Sequence, residues 1–239
     1  MAMISRRDAL SLGLVGGTMS MGAAVAIAQS QSTTVIGEEL PSLLQDWGFV
    51  AHDSLTTGGT VGPDPSQHKH VVEAFRLLFN APRDKTPYEV AKYFYDLRND
   101  NVGKKYLAEW QGEANPLVVG FFTATRTVPS GDVTPWCAAF MNFCFMASGL
   151  SGTGSPLSGT FRDTEHPEFV PVQSPRVGDI AVFWKNGPDG DKGFGHVGFF
   201  EKVESGVFSI LGGNQGDAIS IGRYEVPKHY KKVEFRRIR

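Results

Sequence analysis

From Arg176 onward the hydrophobic residues change their spacing, and this change limits the possible folds of the 239-residue chain more than any other feature. Asp179-Ile-Ala-Val-Phe-Trp184 reads as a buried strand, being a short continuous apolar run bounded by turn residues. His196 to Val203 and Val207 to Leu211 read as two more strands around Glu204-Ser205-Gly206, and Ala218 to Val226 and Val233 to Ile238 extend the series. Asn186 to Gly195 is a Gly/Asp turn region. Upstream the period is helical. Thr86-Pro87-Tyr88-Glu89 spells a capping box with proline at N1, and Val90, Phe94 and Leu97 follow at helical spacing. Ser66 to Asn80 carries an apolar stripe, and Asn115-Pro116 opens another helix to about Ala124. Helices followed by antiparallel strands make an α+β protein.

The N-terminus has a different character. Arg6-Arg7 precedes a modestly apolar stretch from Leu10 to about Ala28, interrupted by Gly13, Gly16, Gly17 and Gly22. Ala26-Ile27-Ala28 then offers a small-residue cleavage site, so residues 1–28 read as a secretory signal of the twin-arginine (Tat) type. So many Gly, Ser and Thr residues disfavour a retained membrane anchor. The expected location is periplasmic or secreted, with no stable membrane span once the signal is removed. Thr56 to Pro63 is a loop by composition. Residues 29–114 form a helical region of unassigned role, and residues 115–239 hold the chemistry-bearing motifs. Net charge is −2, which excludes the basic surplus of a nucleic-acid-binding protein. Lys228, Lys231, Lys232, Arg236, Arg237 and Arg239 crowd one end and read as a solvated strand face.

Both cysteines lie in Thr134-Pro-Trp-Cys-Ala-Ala-Phe-Met-Asn-Phe-Cys144. An exported chain could form a disulfide. In a helix, however, seven residues separate the Cα atoms by about 10.5 Å, beyond the ~7 Å limit for bridging. Thr134 as N-cap and Pro135 at N1 put Cys137 at N3, with a stop at Gly149. There the free backbone N–H groups and the helix dipole favour a thiolate and could hold an oxyanion beside it. Cys144, two turns further on, reads as core.

A nucleophilic cysteine needs a base, and the base needs an orienting group. Of His52, His68, His70, His166, His196 and His229, only His196 follows a glycine at the mouth of an apolar strand. A hairpin turn centred on Ser205 sets His196 opposite Asn214, with Cβ atoms about 4.5–5.5 Å apart. Gly212-Gly213 could add a bulge and shift that register by one, which makes Gln215 the fallback orienter.

The succession Thr134-Pro-Trp-Cys-Ala-Ala-Phe140, Gly178-Asp-Ile180, Gly195-His-Val-Gly-Phe199 and Leu211-Gly-Gly-Asn-Gln215 resembles CHAP and NlpC-type cysteine peptidases over roughly residues 115–239. The resemblance implies a papain-like α+β fold and cleavage of amide bonds in peptidoglycan stem peptides. It also implies Cys137 as nucleophile, His196 as general base and Asn214 as third polar residue. Asp179 reads as structural and Trp136 as core. No cofactor is implied. His68-Lys-His70 is too closely spaced for a helical zinc pair, and Asp189-Gly-Asp191 reads as a solvated turn. A wall-binding protein that keeps the fold without the reaction is the alternative.

Overall fold

Thr86 and Glu89 close the capping box that their spacing spells: Glu89 N–H donates to Thr86 Oγ1 at 3.3 Å and Thr86 N–H to Glu89 Oε2 at 2.9 Å. The computed structural model describes residues 65–239, with side chains from residue 69. The signal, the loop at 56–63, His52 and the side chain of His68 lie outside the described residues. The main helices are α1 (Pro65–Phe79), α2 (Pro87–Asp96), α3 (Pro116–Phe121) and α4 (Cys137–Ala147), with a short α5 (Pro188–Asp191). Six strands follow the order β1-β6-β2-β3-β4-β5 in one antiparallel sheet. They are β1 (Phe169–Val172), β2 (Ile180–Trp184), β3 (Gly195–Glu204), β4 (Val207–Gly212), β5 (Ser220–Glu225) and β6 (Lys232–Ile238). The molecule is α+β.

Helix α4 is central because it is apolar on every side apart from Asn142, and only Met146 escapes burial. Its C-terminus carries a Schellman motif. Gly149 adopts φ +77°, its N–H donates to Met146 O at 3.0 Å, and Leu150 N–H donates to Phe145 O at 2.9 Å. One side of α4 packs on β3, and another receives α2, whose Phe94 sits edge-on to Phe121, Phe140 and Phe143 at 5.1, 6.0 and 5.7 Å. Buried Asn142 fastens the loop after α4, accepting from Thr153 and Gly154 N–H and donating to Ser155 O.

The hairpin corrects the expected turn. Ser205 and Gly206 both have positive φ, +51° and +80°, so the loop is a two-residue primed turn pairing Glu204 with Val207. A bulge between Phe200 and Lys202 then shifts the register by one. Beyond it, Phe200 faces Ile210 and Phe199 faces Leu211, the same register that a turn centred on Ser205 would give. Strand β1 was not anticipated, since Pro171 interrupts a four-residue run and marks an edge position. The basic C-terminal strand is not wholly solvated. Arg236 is buried, bonded to Glu234 at 2.9 Å and to Arg162 O, and Arg237 grips Asp179 through two nitrogens at 3.1 and 2.8 Å. Asp179 also accepts from Arg176 N–H at 2.7 Å, a structural role as expected.

Candidate active site

Helix α4 begins later than the sequence suggests. Trp136 is the N-cap, with φ −118° and no side-chain cap bond, which puts Cys137 at N1 instead of N3. The reason lies in Thr134, whose hydroxyl accepts from Ser130 N–H at 3.0 Å and is spent backwards. Cys137 nevertheless stays in the first turn. Trp136 is fully buried, as expected of a core residue, and its Nε1–H donates to Glu109 Oε1 at 2.9 Å. Gly213 lies against Trp136 and Phe140: a Cβ there would stand 2.7 Å from Trp136 Cε3 and 2.9 Å from Phe140 Cβ. Close approach of the β4 end to the helix start therefore requires glycine at this position.

That approach opens the sheet. Strand β3 continues to Gly195 alongside β2, whereas its pairing with β4 ends at Phe199 and Leu211. In the gap the backbone N–H of Val197, next to His196, faces the Cys137 sulfur, as do the N–H groups of Ala138 and Cys137 itself. These donors favour the thiolate, but burial opposes it and wins, pushing the thiol up to about 11. The expectation of an acidified cysteine at the helix start is therefore overturned. Cys144 is also a free, buried thiol, raised further by the same cause.

His196 is 4% exposed. Burial brings its imidazole down to about 4, with a smaller opposing effect from Gln215. Its Nε2 meets Gln215 Oε1 at 3.2 Å. The carbonyls of Ile210, Gly212 and Ser220 all lie within hydrogen-bond distance of Gln215 Nε2 and share its two N–H donors, which fixes the amide with its oxygen toward the imidazole. His196 Nε2 must then carry the proton, leaving Nδ1 as the basic nitrogen. Phe183, Tyr224 and Tyr230 enclose the ring at centroid distances of 6.4, 5.4 and 6.4 Å. An ionised Cys137 would oppose ionisation of both Tyr224 and Tyr230, as befits a thiol close to the cluster around the imidazole. No hydrogen bond joins Cys137 to His196 among the described residues.

Asn214 makes no hydrogen bond to His196. Beyond Gly212 the strand has ended, and Asn214 turns the chain at φ +57°, making no side-chain hydrogen bond among the described residues. That left-handed residue breaks the alternation and brings Gln215 to the His196 face. The fallback residue is therefore the one in contact. Tyr224 and Tyr230 escaped sequence reasoning, although Tyr224 alternates correctly on β5 to face His196. The other described histidines have local partners: His70 with Tyr106, His166 with Gly152 O and His229 with Glu225 N–H.

A separate groove of about 920 Å³ is lined by Trp184, Lys232, Glu234, Arg236 and Arg162, and includes none of Cys137, His196 or Gln215. Arg162 stacks on Trp184 at 3.8 Å and its two terminal nitrogens donate to the carbonyls of Gly190, Phe183 and Phe194, while its buried Nε–H has no hydrogen-bond partner among the described residues. No helix among the described residues is long and apolar enough to cross a membrane.

Residues 129–214 match the family model of the CHAP domain. The match runs from ahead of α4 to just past the end of β4, taking in β1, β2, α5 and β3, and stops one residue short of Gln215. It supports a CHAP-type peptidase relationship for this stretch and, more generally, a hydrolase acting on peptidoglycan. No curated protein and no solved structure matches the chain.

Proposed function

We propose that this chain is an exported bacterial cysteine hydrolase that cleaves amide bonds in peptidoglycan stem peptides, with Cys137 as nucleophile, His196 as general base and Gln215 in place of Asn214 as the orienting group. The observation that carries the reading is the fixed Gln215 amide. By holding the proton on His196 Nε2 it leaves the Nδ1 lone pair to receive a proton. The resting pair is a neutral thiol and a neutral imidazole, because burial raises one and lowers the other. As the Cys137 sulfur attacks the scissile carbonyl carbon, its proton passes to His196 Nδ1 and the carbonyl π pair moves to oxygen. The backbone N–H groups around the sulfur are placed to receive that oxyanion. The C–N bond then breaks as His196 protonates the leaving amine, and the same nitrogen activates water to release the acyl group.

The CHAP match and the twin-arginine leader support a substrate outside the cytoplasm. The scissile bond is N-acetylmuramoyl–L-alanine, a D,L bond of the stem or a cross-link, and an acceptor amine in place of water would give transamidation. Mass spectrometry of sacculi digested by wild type beside Cys137→Ala tests the reading and identifies the bond. Wild type is expected to release peptides, and the variant to fall by about 10³-fold or more. Equal release by both would refute the mechanism. The burial of both Cys137 and His196 favours a second reading, a wall-binding protein that retains the fold. In that case both forms sediment with sacculi and neither releases peptide.

A further inference from the structure

We propose that Tyr224 is a positioning residue of this site, and that strand β5, outside the stretch matching the CHAP family model, completes the site through it. The Tyr224 hydroxyl donates to Gln215 Oε1 at 2.8 Å, the same oxygen that accepts from His196 Nε2 at 3.2 Å. One carbonyl oxygen thus receives two donors, one from the imidazole and one from the edge strand. The Tyr224 ring also lies against the imidazole, with centroids 5.4 Å apart, so the same side chain limits both the tilt of His196 and the position of its partner. Strand β5 is built to leave room for this contact. A Cβ on Gly222 would stand 2.5 Å from Gln215 Oε1 and 2.6 Å from Tyr224 Oη, crowding both ends of the hydrogen bond from the side. Ser220, two residues earlier, bonds Gln215 twice, donating from Oγ to its backbone oxygen and accepting from its Nε2. Alternate residues of β5, at 220, 222 and 224, therefore all bear on Gln215.

The consequence for His196 is chemical. An imidazole protonated on Nδ1 would present a donor where the proton must be received, and it could not act as base. Tyr224 favours the productive form by fixing the acceptor for Nε2–H, without touching substrate. This role rests on the reading of His196 as the base, and two readouts separate the two claims. The first is long-range ¹H–¹⁵N NMR of the imidazole in the substrate-free full chain. Wild type is expected to show Nε2–H at His196. Tyr224→Phe, which keeps the ring, and Gly222→Ala, which keeps the hydroxyl, are each expected to shift the population toward the Nδ1–H form.

The second readout is peptide release from sacculi. Tyr224→Phe is expected to lower kcat about tenfold, the scale of one hydrogen bond, with KM unchanged. In a Gln215→Ala background the same substitution should change kcat less than about twofold, because its partner is gone. An unchanged tautomer in both single variants, or full additivity with Gln215→Ala, overturns the positioning role. If wild type releases no peptide while the tautomer shifts, the proposed reaction fails and the positioning role stands.

Discussion

At His196 three aromatic rings surround a buried imidazole whose one polar side-chain partner among the described residues is Gln215, so burial penalises its protonated form. Its affinity for protons is therefore lower folded, about 4, than unfolded, near 6.5. Between those values the unfolded chain binds a proton that the folded chain does not. The stabilisation is present above about pH 6.5 and is lost as pH falls through about 4, at a cost of about 3 kcal/mol. Urea denaturation from pH 7 to pH 4 should show this loss, and His196→Gln should remove that part of the slope. Parallel curves for the two proteins would count against it. Cys137 has the opposite sign. Its raised value means the thiol form stabilises the native state below about pH 9 and that contribution disappears as pH rises through about 11. Native Cys137 should accordingly react slowly with iodoacetamide at pH 7 and faster toward pH 11, whereas an acidified thiol would already react at its plateau rate at pH 7.

The elements differ in how openly the sequence declares them. Thr86, Pro87 and Glu89 act within four consecutive residues, so the start of α2 could be read locally. The start of α4 could not, because whether Thr134 caps forward or bonds back to Ser130 depends on the preceding loop. The strand register agreed beyond the bulge only because the extra residue near Glu201 offset the misplaced turn. Cys137 and His196 stood out in the sequence as candidates by their positions alone. The contact of His196 with Gln215 and not with Asn214 did not, since it depends on a single left-handed residue past the strand end. At the junction between elements, Gly213→Ala should destabilise the fold by about 1–3 kcal/mol through overpacking against Trp136 and Phe140. Denaturant titration measures this cost. A change under ~0.5 kcal/mol would mean that the helix start can give way.

Taken whole, the described part of the molecule does not separate into a helical appendage and a catalytic half. Phe94 of α2 is fully buried among aromatic rings from α3 and α4, and Phe94→Ala should cost about 3–5 kcal/mol in a thermal or urea melt. Residues 107–109 also reach the site. Ile219 N–H donates to Leu107 O and Glu109 N–H to Asp217 O, both at 2.8 Å, while the Glu109 side chain holds Trp136. A protein beginning at Asn115 would lose these contacts, and the expected result is aggregation or a chain lacking cooperative unfolding.

Strand β6, the last in chain order, lies between β1 and β2 and hydrogen-bonds to both. A ribosome delivers residues in order, so while β2, β3, β4 and β5 are being made the position between β1 and β2 has no strand to fill it. The nascent chain carries two strands whose inner edges wait for residues 232–238. Closure of the sheet between β1 and β2 is deferred until those residues emerge, long after both of the strands they join.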